Sequence, residues 1–299
     1  MLKSFRPVVF SRHPTHNVLR TKLPLLPFRS IIRLGSTTEV SKKMQSKGTI
    51  VECNPIEGII NTSDKIRMKS CFTKSKINSP EWYLPVIVVG DSSVCNKEYF
   101  RLPSILEENN PLLGNKPTII AKDIAIKDDM FPLIAKINFH SRGRGMMKID
   151  NREQLLKLLE DVGTARKYTF EKYINYVREY RVHATRNGIF YICRKLRKEE
   201  AKDRWFFNSK NSIFKIIFED GKWIGDKIPC FTEMENHCKL ALEALKMDIA
   251  GFDVRVNATG EKFTIIEANS ACSFGEHTAQ HYIKMIPEVL KNKFEKLTK

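Results

Sequence analysis

Several features common in other protein classes are missing from this chain of 299 residues. No stretch reaches the roughly 18–20 apolar residues that a membrane-spanning helix needs, so no membrane partner is expected. The longest apolar runs, such as that around Val86–Val89, have the length of strands. The seven cysteines (Cys53, Cys71, Cys95, Cys193, Cys230, Cys238 and Cys272) form no Cys-x-x-Cys pair. An odd, scattered set with no visible secretory signal points to reduced thiols and a cytoplasmic setting, not to a disulfide framework or structural zinc. Gly-x-x-x-x-Gly-Lys-Ser/Thr is absent, which excludes a P-loop, and so is His-Glu-x-x-His. Glu276, His277 and His281 are helically spaced in a different order and read as surface residues. Acid is absent from the first 38 residues, which carry Lys3, Arg6, Arg12, Arg20, Lys22, Arg29 and Arg33. Such a composition suits an organelle transit peptide. The segment is rich in proline, though, and runs without a break into an apparent strand at 30–34, so the transit peptide is the lesser expectation.

What is present is a soluble globular composition, with 42% hydrophobic and 28% charged residues and a net charge of +17. A strongly basic protein attracts polyanions: nucleotides, nucleic acid or an acidic polypeptide. A second basic cluster, from Arg194 to Arg204, adds to this. Strands are predicted at 30–34, 48–53, 82–89, 117–121, 131–137, 167–174, 180–185, 188–194 and 213–218. Ile249–Val256 and Lys262–Ala268 form a predicted hairpin. Helices are predicted at 63–76, capped by Ser63, at 151–162, at 232–245 and from 277 onward. The irregular alternation favours α+β lobes over one doubly wound sheet.

The hairpin carries the clearest chemistry. Pairing its strands about a turn near Thr259–Gly260 sets Asp253 opposite Glu267, with Cβ atoms about 4.5–5.5 Å apart. Alternation puts Asn269 on the face of Glu267 and Arg255 on that of Asp253. Opposed carboxylates repel unless a cation lies between them, and hard oxygens of this kind suit Mg²⁺ completed by phosphates and water. The plain alternative is a surface hairpin with two exposed acids. A second feature is the strand Phe131–Ile137, which carries Lys136 near its end and is followed by His140-Ser-Arg-Gly-Arg-Gly145. Gly143 and Gly145 would let backbone N–H groups approach a polyphosphate, although such a loop is also an ordinary hairpin turn. Third, Thr169-Phe-Glu-Lys-Tyr-Ile174 precedes Glu179-Tyr-Arg181. The strand backbone there could read an adenine edge, and Glu179 could accept from ribose hydroxyls.

Taken in order, Asp64-Lys65 opening a helix, Lys136 and the glycine loop, Glu171-Lys-Tyr-Ile174, Glu179-Tyr-Arg181, Gly251-Phe-Asp-Val-Arg255 and Ile266-Glu-Ala-Asn269 resemble the ATP-grasp superfamily. The pattern spans about 61–281 and is most similar to RimK-type glutamate ligases, bacterial glutathione synthetase and small phage-encoded carboxylate–amine ligases. The resemblance implies an α+β ATP-grasp fold with two lobes clasping ATP: a short N-terminal segment (1–60), a first lobe (61–174) and a second lobe (175–299). It implies Asp253, Glu267 and Asn269 as ligands of Mg²⁺ or Mn²⁺, and Lys65 and Lys136 on phosphates. It further implies Glu171, Tyr173 and Ile174 as the adenine hinge, Glu179 on the ribose, Lys195 on the nucleotide, and Arg181 and Arg255 beside phosphate or substrate. The activity implied is ATP-dependent joining of a carboxylate to an amine through an acyl phosphate, with an amino acid or peptide among the substrates. Ser270-Ala-Cys-Ser-Phe-Gly275 stands where Ser-Pro-Gly is common in the family, which leaves the acceptor open. The competing expectations are a basic nucleic-acid-binding protein and an ATP-grasp kinase that stops at phosphoryl transfer.

Overall fold

The computed structural model describes residues 4–11, 13–88, 94–107, 118–139, 145–201, 205–207 and 211–298. The chain opens with β1 (Val8–Ser11), α1 (Asn17–Lys22), β2 (Arg29–Leu34), α2 (Lys42–Gln45) and β3 (Ile50–Cys53). Their three strands form a parallel sheet in the order β1-β2-β3. Two helices follow, α3 (Ile56–Ser63) and α4 (Lys65–Lys74). Next come β4 (Trp82–Ile87), β5 (Cys95–Glu107), β6 (Thr118–Ala125), β7 (Leu133–Ile137), β8 (Met147–Ile149), α5 (Arg152–Leu159), α6 (Val162–Ala165) and β9 (Tyr168–Lys172). They build a six-stranded sheet in the order β6-β5-β4-β9-β7-β8. The last part comprises β10 (Arg178–Thr185), β11 (Gly188–Arg197), β12 (Ser212–Glu219), β13 (Lys222–Trp223), α7 (Phe231–Ala244), β14 (Ile249–Val256), β15 (Phe263–Asn269) and α8 (Glu276–Thr298). Its sheet runs β13-β12-β11-β10-β14-β15 with antiparallel neighbours. Among the described residues no helix is long and apolar enough to cross a membrane.

β14 is buried at all eight positions, as its apolar sequence between two neighbours requires. Its inward residues Ala250, Phe252, Val254 and Val256 share one core with Met234, Cys238 and Leu242 of α7. Ile59, Met68 and Phe72 of α3 and α4 join that same core. These two helices therefore pack beneath the sheet that carries Asp253 and Glu267, although they precede the strands of the other large sheet in sequence.

The N-terminal segment is more structured than its composition suggests. Val9, Leu19, Leu23, Leu26 and Ile32 are buried with Tyr282, Ile286 and Leu290 of α8. Arg33, 1% exposed, pairs with Glu52 at 2.7 Å. Asn54 ties the parallel sheet to β14. Its side chain donates to the carbonyls of Arg33 (3.1 Å) and Ile249 (3.0 Å) and accepts from the N–H groups of Asp248 (2.9 Å) and Ile249 (3.0 Å).

The predicted helix 63–76 needs correction at its start. Ser63 ends α3, and Asp64 caps α4, its Oδ1 accepting from Ile66 N–H (2.9 Å) and Arg67 N–H (3.3 Å). A charged acceptor satisfies the exposed N–H groups better than a hydroxyl and also complements the helix dipole.

Candidate active site

Register assembles the ionic residues on one face of the second large sheet in three cross-strand rows. The first aligns Lys195 on β11, Glu179 on β10 and Arg255 on β14. The second aligns Arg181 on β10, Asp253 on β14 and Glu267 on β15. The third aligns His183, Gly251 and Asn269. Successive rows are two residues apart, so their side chains share a face. The predicted opposition of Asp253 and Glu267 is thus the observed register, and a bulge between Asp253 and Val254 follows it immediately.

Contacts join these rows into one network. Arg181 donates through Nε to Asp253 Oδ1 (2.7 Å) and through a terminal nitrogen to Oδ2 (3.2 Å). Lys195 Nζ reaches Asp253 Oδ1 and Glu179 Oε1, both at 2.7 Å. Arg255 Nε donates to Glu179 Oε2 (2.9 Å). The other Arg255 nitrogens grip the carbonyls of Ile174 (2.8 Å) and Trp205 (2.7 Å). Burial alone would favour neutral groups. Burial is the largest single influence and lowers the pKa of both cations, yet the neighbouring anions together outweigh it: Asp253 foremost holds Arg181 above its ordinary range, and Asp253 with Glu179 does the same for Lys195. Burial raises the Asp253 carboxyl, but Arg181 and Lys195 more than reverse this and hold it well below its usual range.

A second cluster faces this one. Lys136 on β7 and Lys69 on α4 both lie 2.9 Å from Glu171 Oε2 on β9. All three are buried, Lys69 completely. Lys65 lies four residues before Lys69, hence on the same helical side, and senses Glu267, Lys136 and Glu171. Helix α4 also touches β15 directly, Ala268 N–H donating to Met68 Sδ at 3.3 Å. Burial lowers the pKa of Lys65 and brings that of Lys69 down to about 8, against the opposing pull of nearby carboxylates. Glu171 Oε1 and Asn138 Oδ1 are buried without a hydrogen-bond partner.

The structure thus brings together Lys65, Lys136, Glu171, Glu179, Arg181, Lys195, Asp253, Arg255, Glu267 and Asn269. Gly143, with Lys202, Asp203 and Arg204 of the basic cluster, lies outside the described residues. Gly145 has φ +67°, and a Cβ there would lie 2.2 Å from Ile137 Cδ1, so this turn after β7 requires glycine. Two expected roles meet prior commitments. Tyr173 N–H already donates to Pro132 O (3.0 Å), and Ile174 C=O is held by Arg255. Glu179, expected to accept from ribose hydroxyls, is 5% exposed with both oxygens on cations. Sequence reading also missed Lys69, although its spacing from Lys65 was the available signal.

The oxygens suited to a divalent ion are those of Glu267 and Asn269. Asn269 Nδ2 donates to Glu267 Oε1 (3.1 Å), so the remaining side-chain acceptor of Asn269 is Oδ1. Asp253 is shared between two cations and fits such a role less well. Among the described residues no three His, Cys, Asp or Glu side chains gather as a self-sufficient metal cluster. Mg²⁺ usually takes only one or two carboxylates and completes its shell with phosphates and water, so this sparse set fits an ion that arrives with a nucleotide. A pocket of about 260 Å³ lies beside Ile174, lined also by Glu81, Tyr176, Glu233 and Thr264, and none of the ionic residues of the three rows lines it.

No family model matches the sequence, and no curated protein matches it. Solved structures do resemble the fold. D-alanine–D-alanine ligase from Bacillus anthracis complexed with ATP aligns over 94% of this chain and 83% of its own, with TM-score 0.55 and 15% identity. D-alanyl-alanine synthetase A from Vibrio cholerae aligns over 90% and 77%, with TM-score 0.55 and 12% identity. The ATP-grasp ligase PsnB, complexed with a minimal precursor, aligns over 87% and 78%, with TM-score 0.51 and 10% identity. The chain has the ATP-grasp fold.

Proposed function

We infer that the protein is an ATP-dependent carboxylate–amine ligase, with a small molecule or peptide supplying each of the two groups. The observation that carries this reading is the juxtaposition across α4 and β15. Six cations (Lys65, Lys69, Lys136, Arg181, Lys195 and Arg255) face four carboxylates (Glu171, Glu179, Asp253 and Glu267). Such an excess suits a triphosphate. Lys65, Lys69 and Lys136 would take its phosphates. The Tyr173 carbonyl and Ile174 N–H are the hinge groups left to read the base. Glu267 and Asn269 would hold the Mg²⁺ or Mn²⁺, whose contribution is to neutralise phosphate charge.

A carboxylate is a poor electrophile, and phosphorylating it supplies a leaving group. Catalysis of that transfer is mostly positioning and charge neutralisation. Arg181, fixed bidentately by Asp253, points a rigid cation at the reacting end. Amine attack on the acyl phosphate then forms the amide and releases phosphate. The lobes we assign are 61–174 and 175–299, after the segment 1–60, with α4 of the first packed into the core of the second. Incubating the protein with MgATP, amino acids or peptides and hydroxylamine tests the reading. A ligase yields a hydroxamate and ADP, and Glu267→Gln abolishes both while the protein stays folded. ADP formation on a hydroxyl acceptor without hydroxamate would make it a kinase of the same fold. No nucleotide turnover in any mixture would refute both.

A further inference from the structure

The loop that follows Asn269 is held from outside its own sheet. Phe274 N–H donates to Thr15 Oγ1 at 3.0 Å, and His16 Nε2 lies 2.6 Å from the Cys272 carbonyl. Gly35 approaches so closely that a Cβ on it would lie 2.5 Å from that of Ala271. All three holders follow the carboxyl ends of β1 and β2, the edge at which ligands bind to open sheets of parallel strands. His16 is 1% exposed. Its Nε2 faces a carbonyl and so carries the proton, while Nδ1, 2.6 Å from Ser11 Oγ, accepts from that hydroxyl. Burial lowers its pKa to about 4 against the Cys272 carbonyl, so the neutral ring persists at pH 7. The Phe274 ring lies between His16 (4.3 Å) and Tyr282 (4.2 Å), and Tyr282 in turn meets His183 (3.1 Å). On the inner side Cys272 sits over Gly251, where a Cβ would lie 2.2 Å from its sulfur, and beside Arg181. The loop therefore flanks the second and third rows of the site, away from Ile174 and the nucleotide hinge.

We propose that His16 and Thr15 are positioning residues that hold the Ser270–Phe274 loop against Arg181 and Glu267, as one wall of the second-substrate end of the site. This rests on the ligase reading, so the test has two arms. In the first, iodoacetamide labelling of each cysteine is mapped by mass spectrometry at pH 8 in the parent, His16→Ala, His16→Gln and Thr15→Val. Cys272 and Cys238 are both buried, and Cys238 reports global opening. His16→Ala should label Cys272 about tenfold faster or more with Cys238 still protected. His16→Gln, which keeps an Nε2–H donor, should stay near the parent. In the second arm, His16→Ala should lower kcat for ADP formation about tenfold or more with KM for ATP within about twofold, and Gln should largely restore it. Unchanged Cys272 labelling overturns the proposal, as do equal gains at Cys272 and Cys238 in both His16→Ala and Thr15→Val. Full ADP formation in a variant with exposed Cys272 also overturns it. A parent that labels as described but never forms ADP sinks the ligase reading instead, and with it the catalytic half of this proposal, while the mechanical latch stands.

Discussion

The two ionic clusters use the same residue types yet stand in opposite electrostatic states. Around Glu171, Lys69 and Lys136 share one buried carboxylate, Lys65 stands nearby within the field of Glu267 as well, and burial drags Lys65 and Lys69 toward the neutral form. Lys69 Nζ is 2.9 Å from Glu171 Oε2 but lacks a well-aligned hydrogen bond. Around Asp253, cations and carboxylates alternate from Arg181 through Lys195 and Glu179 to Arg255, and Arg181 and Lys195 are held charged despite burial. The first cluster holds an excess of lysines that burial disfavours, whereas burial does not neutralise the cations of the second. An incoming polyanion is therefore expected at the lysines, while the alternating cluster serves as the rigid frame beside it.

The largest effects should come from removing one lysine from each cluster. Lys195→Met leaves Asp253 and Glu179 without their shared cation. Breaking a buried pair costs about 3–5 kcal/mol, a fall in Tm on the order of 10 °C. Lys69→Met removes a charge that burial already disfavours, so its stability at pH 7 should stay within about 1 kcal/mol of the parent or rise. The pH dependences should also differ in sign. The folded pKa of Lys69, about 8, lies below its ordinary 10.5. The unfolded chain thus binds more protons between these values, and the Lys69 contribution to stability grows as pH rises from 8 to 10.5. Lys195 is raised, so its contribution is complete below 10.5 and is lost above. Thermal melts from pH 7 to 10.5 should therefore show the Lys69 contribution rising while that of Lys195 stays level, and equal losses for the two variants would dissolve the contrast.

Nucleotide binding sharpens it further. Lys136→Met should weaken an MgATP analogue by roughly 10–100-fold, since a hydrogen bond to a charged group contributes about 1.5–3 kcal/mol. Binding should also take up a fraction of a proton at pH 8.5, because phosphate beside Lys69 restores its charge. Calorimetry in two buffers of different ionisation enthalpy detects that uptake, and Lys69→Met should abolish it. Uptake that survives in this variant would place the titrating group elsewhere.

The sequence revealed the parts of this arrangement that depend on local geometry. A short hairpin fixes its own register, so Asp253 and Glu267 could be paired from the turn alone. Lys195 opposite Glu179 depends on how β10 and β11 meet across an irregular register, and the diagonal reach of Lys195 to Asp253 depends on side-chain direction as well. The parallel sheet at the N-terminus leaves no turn signal, because β1 and β2 pair through a crossover rather than a hairpin. Its basic composition was legible there and its burial was not: Arg33 looks like surface charge until Glu52 is set beside it. Helix α3 was hidden by Pro55, which occupies its N-cap instead of a polar residue.

The smallest effect separates the frame from the surface beside it. The basic run that begins at the end of β11 looked uniform in sequence, but the pleat divides it. Lys195 pairs across to Phe214 on the site face and is buried, whereas Arg194 stands opposite Lys215 on the other face. Arg197 stacks on Phe207 (4.6 Å). Neutralising only Arg194 and Lys215 to Gln removes two facing like charges, which costs nothing in the sheet, and stability should move by no more than about 0.5 kcal/mol. Affinity for the MgATP analogue should stay within about twofold, because neither side chain shares the nucleotide face. An acidic polypeptide, with poly-glutamate as the probe, should bind the parent more weakly as salt rises, since the Debye length falls from about 10 Å at 0.1 M to about 3 Å at 1 M. The double variant should bind it less and with a flatter salt response. A raised KM for ATP in that variant would mean that Arg194 turns toward the phosphates and that the pleat does not separate the two roles. Unchanged poly-glutamate binding would leave Arg194 and Lys215 as solvated charge and remove the anionic partner from this face.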